Sequence, residues 1–145
     1  MSLTVALASD HAGFELKAVL KSELEGLGHQ VLDLGTDGPE QVDYPDFGAA
    51  AGRAVAEGLA PLGVIVCASG IGISIAANRY AGARAALCHD ATAARLAREH
   101  NDANILALGS RVIGSEVAKE CLKIFLATEF AGGRHQGRVD KLGQP

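Results

Sequence analysis

Apolar runs of strand length alternate with apolar stripes at helical spacing along the whole chain. Leu3-Thr-Val-Ala-Leu7 predicts a first strand. Phe14, Leu16, Val19, Leu20, Leu24 and Leu27 then recur at helical spacing with Lys17, Lys21, Glu23 and Glu25 between them, which predicts an amphipathic helix. Gly28 is placed to stop it. Gln30–Leu34 predicts a second strand, and 35–44, with Gly38 and Pro39, a loop. Phe47, Ala50, Ala51, Ala54, Val55 and Leu59 mark the next helix, which tolerates Pro45 in its first turn. Val64–Cys67 predicts the third strand, with a helix from about Ile71 to Asn78. Ala83–Leu87 predicts the fourth, followed by a helix capped by Asp90 and running towards His100. Ile105–Leu108 predicts the fifth, and Val117, Cys121, Ile124 and Phe125 one face of a last long helix.

Five strands separated by helices imply an α/β fold with a parallel sheet covered on both faces, because parallel strands need crossover connections. Right-handed crossovers then predict a Rossmann-like, doubly wound five-stranded sheet in the order 2-1-3-4-5. No linker, repeat or low-complexity tract interrupts the chain, so 1–145 is expected to be a single domain. In that order the first and third strands are neighbours at the switch point, bringing Asp10 and His11 towards Cys67.

Composition narrows the function classes. With 48% hydrophobic and 21% charged residues the chain has an ordinary soluble balance, and its net charge of −4 disfavours a general nucleic-acid or membrane-surface binder. No apolar run reaches membrane-spanning length. Three cysteines at unpaired spacings fit reduced thiols in a cytoplasm better than a disulfide frame, and no zinc pattern occurs.

The stretch Cys67-Ala-Ser-Gly-Ile-Gly-Ile-Ser74 carries the strongest chemistry. A thiol ends a strand, and small residues whose amides can converge on one spot follow it into a helix. Such a helix start favours thiolate and could also cradle an oxyanion. The alternative is a small buried hydrophobe closing a core strand. Ser9-Asp10-His11 follows the first strand, where an acid and an imidazole could contact sugar hydroxyls or move a proton; a helix-capping Asp beside an exposed His is the structural alternative. His100-Asn101-Asp102 ends a helix, where a histidine can simply meet the dipole, and Ser110-Arg111 could form a rim salt bridge. Arg134 and Arg138 share a face if their segment is helical, suiting a phosphate; otherwise they belong to a solvated basic tail. Gly70-Ile-Gly72 is no dinucleotide fingerprint, since Ile75 stands where a third small residue is needed.

Ser9-Asp-His-Ala-Gly-Phe14, Asp43-Tyr-Pro45, Cys67-x-Ser-Gly-Ile-Gly-Ile-Ser-Ile-Ala-Ala-Asn78, His100-Asn-Asp-x-Asn104, Gly109-Ser-Arg111 and Gly132-Gly-Arg-His-Gln-x-Arg138 together resemble the ribose-5-phosphate isomerase B family. These sugar-phosphate isomerases include the two-subunit galactose-6-phosphate isomerase. The resemblance implies a Rossmann-like domain forming homodimers or homotetramers with active sites at subunit interfaces, using no cofactor and no metal. It implies that Cys67 moves a proton between C1 and C2, and that His100, from a partner subunit, opens the sugar ring. It places Asp10, His11 and the loop Ala68, Ser69, Gly70, Ile71 and Gly72 on the substrate. It draws Asn101 and Arg111 from the partner and assigns Arg134 and Arg138 to the phosphate. Ala68 and Ser69 stand where many members have Gly and Thr, which bears on substrate preference. Another branch has a Glu base at the position of Ile73, so the chain resembles the cysteine branch. The implied substrate is ribose 5-phosphate and ribulose 5-phosphate; another four- to six-carbon aldose phosphate, or a non-catalytic binding module, is the alternative.

Overall fold

The computed structural model describes residues 2–144. The elements run β1 (Thr4–Ser9), α1 (Phe14–Gly26), β2 (Gln30–Asp33), α2 (Tyr44–Ala56), β3 (Leu62–Cys67), α3 (Ile71–Ala77), β4 (Ala85–Leu87), α4 (Ala91–Asn101), β5 (Ile105–Gly109), α5 (Ser115–Ala127) and α6 (Arg134–Leu142). All strand pairs are parallel. Residue alternation sends Val5, Leu7, Val64, Val66, Leu106 and Leu108 into a core shared with α1, α4 and α5. Ala6, Ala8, Ile65, Cys67, Ile105 and Ala107 enter a second core under α2 and α3. This two-faced burial is why the central strands read as continuous apolar runs.

The strand order is 2-1-3-5-4, not the expected 2-1-3-4-5. Burial explains the exchange. Every residue of Ile105–Gly109 is buried, whereas Ala85–Leu87 is three residues long and only half-buried. The longer apolar strand therefore takes the position beside β3, and the short one becomes the edge, where it offers little unpaired backbone. The neighbouring of β1 and β3 holds as expected, with Ser9 opposite Val66. No described helix is long and apolar enough to cross a membrane.

Local signals mostly act as their chemistry requires. Asp90 caps α4 by accepting the Ala93 amide at 2.7 Å, and Pro45 sits in the first turn of α2. Gly28, at φ 89°, follows α1 while the amides of Gly28 and His29 close onto Glu25 and Leu24. The polar segment after Gly132-Gly133 is the helix α6.

Lys17, 3% exposed, is the one buried lysine among the described residues. Its ammonium meets Asp33 Oδ1 at 2.6 Å, and the same oxygen accepts the Gly35 amide at 3.0 Å. Burial pushes the Asp33 carboxyl up. Hydrogen bonds from Lys17 and Gly35, with the charges of Lys17 and Lys21, outweigh it and hold the group below its ordinary 3.8. A depressed folded value means that the contribution is present above pH 3.8 and lost as pH falls through the folded value. Lys17→Met is expected to cost about 1–3 kcal/mol at neutral pH, the range for a charged hydrogen bond left half-made in a buried place. Urea titrations of both proteins check this: the gap between them should close as pH drops below 3.8.

Candidate active site

Parallel pairing puts the carboxyl ends of all strands on one edge of the sheet, and three backbone ties join them there. The Asp10 amide donates to the Val66 carbonyl (3.3 Å), the Ser110 amide to Cys67 (2.9 Å) and the Arg111 amide to Ala68 (2.9 Å). Ser110 Oγ also donates to the Ala12 carbonyl at 2.8 Å. Nesting this close needs glycine at two positions. A Cβ on Gly13 would lie 2.5 Å from the Val66 oxygen, and one on Gly109 2.5 Å from the Ser69 oxygen. Asp10, the Cys67–Gly72 turn and Arg111 thereby gather at one place.

Cys67 is 4% exposed, and its Sγ accepts the Gly70 amide at 3.1 Å. Gly70 adopts φ 77°, and a side chain there would strike Leu87 and the backbone of Leu108. Of the five amides of Gly70–Ser74, the candidates for an oxyanion cradle, three are already committed. Gly70 serves Cys67, Ile71 donates to Ser69 Oγ (3.1 Å) and Ser74 to the Gly70 carbonyl (3.3 Å). Gly72 and Ile73 have no protein acceptor among the described residues, so the cradle narrows to these two. The Tyr44 ring covers Gly72 so closely that a Cβ there would lie 2.5 Å from it.

Asp10 is 6% exposed, and its Oδ1 accepts the Gly13 amide at 3.1 Å. The bond closes the turn ahead of α1, whose N-cap is Gly13, so Asp10 is not the helix cap, and it stands at the switch point. His11 Nδ1 accepts the Val42 amide at 3.1 Å, so the proton of the neutral ring sits on Nε2, available as a donor.

The remaining candidates stand at the opposite edge. α4 leaves the carboxyl edge at Asp90 and returns the chain to the start of β5, so His100 and Asn101 lie at the amino ends of the strands. The helix between spans about 16 Å. Arg111, grouped at the sequence level with Asn101, instead has its backbone at the edge of Cys67 in its own chain. The Ala131 amide donates to the Glu99 carbonyl at 3.0 Å, swinging α6 back onto α4. His135 then stacks on His100 with ring centroids 4.4 Å apart and planes 14° from parallel. Loss of hydration, with the charges of His100, Arg134 and Arg138, holds His135 below its ordinary range. Arg134 and Arg138 are both exposed and one helical turn apart on α6. The sequence pattern does not single out His135. The only local signal was its place between the two arginines; the stack depends on the Ala131–Glu99 turn.

A thiol followed by two free amides at one edge, and a cluster of two imidazoles and two guanidiniums at the other, suit proton transfer on a small anionic substrate. Comparison with known proteins agrees. Residues 5–142 match the model of the ribose/galactose isomerase family. The chain is 44% identical over 138 residues to ribose-5-phosphate isomerase B of Escherichia coli, covering 95% of this chain and 93% of that one. It is 39% identical over 142 residues to D-erythrulose-4-phosphate isomerase of Pectobacterium atrosepticum, covering 97% and 93%. Among solved structures, ribose-5-phosphate isomerase B of Clostridium thermocellum superposes with a TM-score of 0.97 at 48% identity, covering 98% of this chain and 96% of that one. The protein is therefore a sugar-phosphate isomerase of the aldose–ketose class. It belongs to the ribose/galactose isomerase family, among whose members it is similar to ribose-5-phosphate isomerase B.

The cysteines give a direct check on the site. Burial, then the neighbouring Cys121 and Asp90, pushes the Cys88 thiol up to about 12. Burial, then Asp90 and Glu120, pushes Cys121 up to about 11. At pH 8 roughly one part in ten thousand of the first and one in a thousand of the second is thiolate. Iodoacetamide on the native protein at pH 8 should therefore label Cys67 well ahead of the other two, as read by peptide mapping. Uniform labelling of all three without unfolding would contradict the placement.

Proposed function

We propose that the protein interconverts ribose 5-phosphate and ribulose 5-phosphate through an enediolate. The observation that carries this reading is the Cys67 sulfur held at the sheet edge, with Asp10 beside it and the unpaired amides of Gly72 and Ile73 following it. In the open-chain aldose the Cys67 sulfur takes the proton from C2 while the C1 carbonyl gains negative charge. The O2 hydroxyl proton passes to O1, and the same sulfur returns the carbon-bound proton to C1 as a carbonyl forms at C2. Hydrogen moves within one molecule, so the reaction is redox-neutral and needs no external electron acceptor. An amide well aimed at the developing oxyanion contributes about 3 kcal/mol, and Gly72 and Ile73 are the free ones. Asp10, His11 through its Nε2 proton, and the loop Ala68–Gly72 contact the sugar.

His100 opens the ring by delivering a proton to the ring oxygen as the anomeric hydroxyl loses one. Arg134 and Arg138 hold the phosphate, which stays fixed while the far end reacts. The support is positional: His100 stacks on His135, and Arg134 and Arg138 stand on the same helix as His135, in one cluster. That cluster stands at the amino edge, a helix length from the thiol of its own chain. Two copies related by a two-fold axis would bring each cluster to the other's thiol, so the protein works as a homodimer or larger. A second reading keeps the chemistry and shortens the sugar. It rests on the D-erythrulose-4-phosphate isomerase relative and is tested by comparing kcat/KM on tetrose and pentose phosphates.

The roles of the two residues separate in heavy water. Deuterium uptake at C1 of ribulose 5-phosphate needs the base but no ring opening. Cys67→Ala should lose both uptake and conversion. His100→Asn should keep uptake within about twofold while conversion of ribose 5-phosphate falls tenfold or more, the loss expected for a general acid. Equal losses of uptake and conversion in His100→Asn would remove it from the ring-opening step.

Shared sites make a further prediction. Cys67→Ala protein, inactive alone, and His100→Asn protein, at least tenfold impaired in converting ribose 5-phosphate, should together exceed the sum of their separate activities when refolded as a mixture. Random pairing gives about half hybrids, each with one intact site, so about a quarter of wild-type sites return. Hybrids that form, shown by mass spectrometry of differently tagged chains, yet add no activity beyond that of the separate proteins would place the whole site within one chain.

A further inference from the structure

Asp102 is the one non-glycine residue with positive φ, 45°, among the described residues. It caps the end of α4, directly after His100 and Asn101. A left-handed conformation is cheapest for glycine and costs an ordinary L-residue about 1 kcal/mol. What the aspartate adds is a grip on two arginines from different elements. Arg98 donates from Nη1 to Oδ1 at 3.2 Å. Arg84, just ahead of β4, donates from Nη2 to Oδ2 at 3.4 Å and from Nε to the Asp102 carbonyl at 2.8 Å. Each arginine is itself anchored. Arg98 reaches the carbonyls of Ala103 (2.6 Å) and Thr128 (3.0 Å) and lies over the Phe125 ring. The Arg84 amide donates to Asn104 Oδ1 at 2.7 Å. The Ala103 amide closes onto Ala97 (3.0 Å), finishing the helix.

A helix terminus normally frays, and its last turn is a poor platform for a group that must meet a reacting atom within a fraction of an ångström. Here the turn carrying His100 is tied to the start of β4 through the Asp102 carboxylate and carbonyl, and the same carboxylate holds Arg98, which reaches the end of α5. We infer that Asp102 is a positioning residue for His100: the two-arginine clamp holds the last turn of α4 so that the imidazole meets the ring oxygen in a neighbouring subunit's site. This rests on the reading of His100 as the ring-opening group. Asp102 stands at the amino edge, away from the thiol, and acts through His100.

A mere stability staple and a positioning clamp differ in what their loss changes. Asp102→Gly fits the positive φ and takes the carboxylate from both arginines, leaving only the backbone carbonyl that Arg84 Nε meets; Asp102→Asn also tolerates that backbone and removes only the charge. In both variants conversion of ribose 5-phosphate should fall by about tenfold, the scale of loss when a catalytic group is misplaced by a fraction of an ångström. Deuterium uptake at C1 of ribulose 5-phosphate should stay within about twofold of wild type, because the thiol edge lies elsewhere. Wild-type conversion, or parallel loss of conversion and uptake, in a variant whose melting curve shows it folded, overturns the proposal. His100→Asn measured alongside separates the two levels. If it shows the split and the Asp102 variants do not, the clamp alone is wrong. If it shows no split, the ring-opening reading fails and the clamp proposal falls with it.

Discussion

Parallel pairing of β1, β3 and β5 is the constraint on which the rest of the molecule depends. Parallel strands bring their carboxyl ends to one edge, and each connecting helix must carry the chain back to the other. The strand ends and the loops leaving them carry Asp10, His11, Cys67 and Arg111; the last turn of α4, ahead of β5, carries His100 and Asn101. No local adjustment can move α4's end across the sheet. A chain that uses both the thiol and the imidazole in one reaction therefore needs a second copy, and the division of labour follows from topology before any interface is considered.

The carboxyl edge is built by backbone as much as by side chains. Gly13 and Gly109 admit neighbouring carbonyls where any Cβ would collide, and Ser110 ties the β5 loop to the β1 loop. Lys17 extends this bracing beneath the surface. Its bond to Asp33 fixes Gly35, whose carbonyl accepts the Ser9 amide immediately before Asp10 (2.8 Å). A buried ammonium is costly unless paired. Its presence here is explained by what the paired carboxylate holds in place.

The sequence made legible whatever is local or periodic: the alternation of elements, the Asp90 cap, the Gly28 stop and the adjacency of Asp10 and Cys67. The exchange of β4 and β5 turns on comparative burial, since both segments are apolar and only packing reveals that Ala85–Leu87 is covered less completely. α6 was ambiguous because its composition is polar and basic. It buries Val139 and packs on α4, so tertiary contact selects the helix. The cradle was overcounted for a similar reason. Five consecutive amides look alike in sequence, but Sγ of Cys67 and Oγ of Ser69 consume two of them, and the first helical bond a third. The Asp102 clamp was invisible altogether, since Arg84 and Asp102 are 18 residues apart.

Separating the two edges also separates two properties of the enzyme. On the proposed assignment, proton transfer is set by the rigid, glycine-nested thiol edge, while the phosphate is gripped by Arg134 and Arg138 on α6 of another copy. The span between reacting carbons and phosphate is then a distance between subunits, not within one. A one-carbon difference in sugar length, about 1.5 Å, is small enough to be met by a slight change in how two copies pack. The catalytic turn need not change at all. This accounts for how relatives as similar as a ribose-5-phosphate isomerase B, at 44% identity, and a D-erythrulose-4-phosphate isomerase, at 39%, can share one fold with sugars of different length. It also directs attention away from Ala68 and Ser69, which lie at the reacting end, and towards α6 and the clamped end of α4, where the span is fixed.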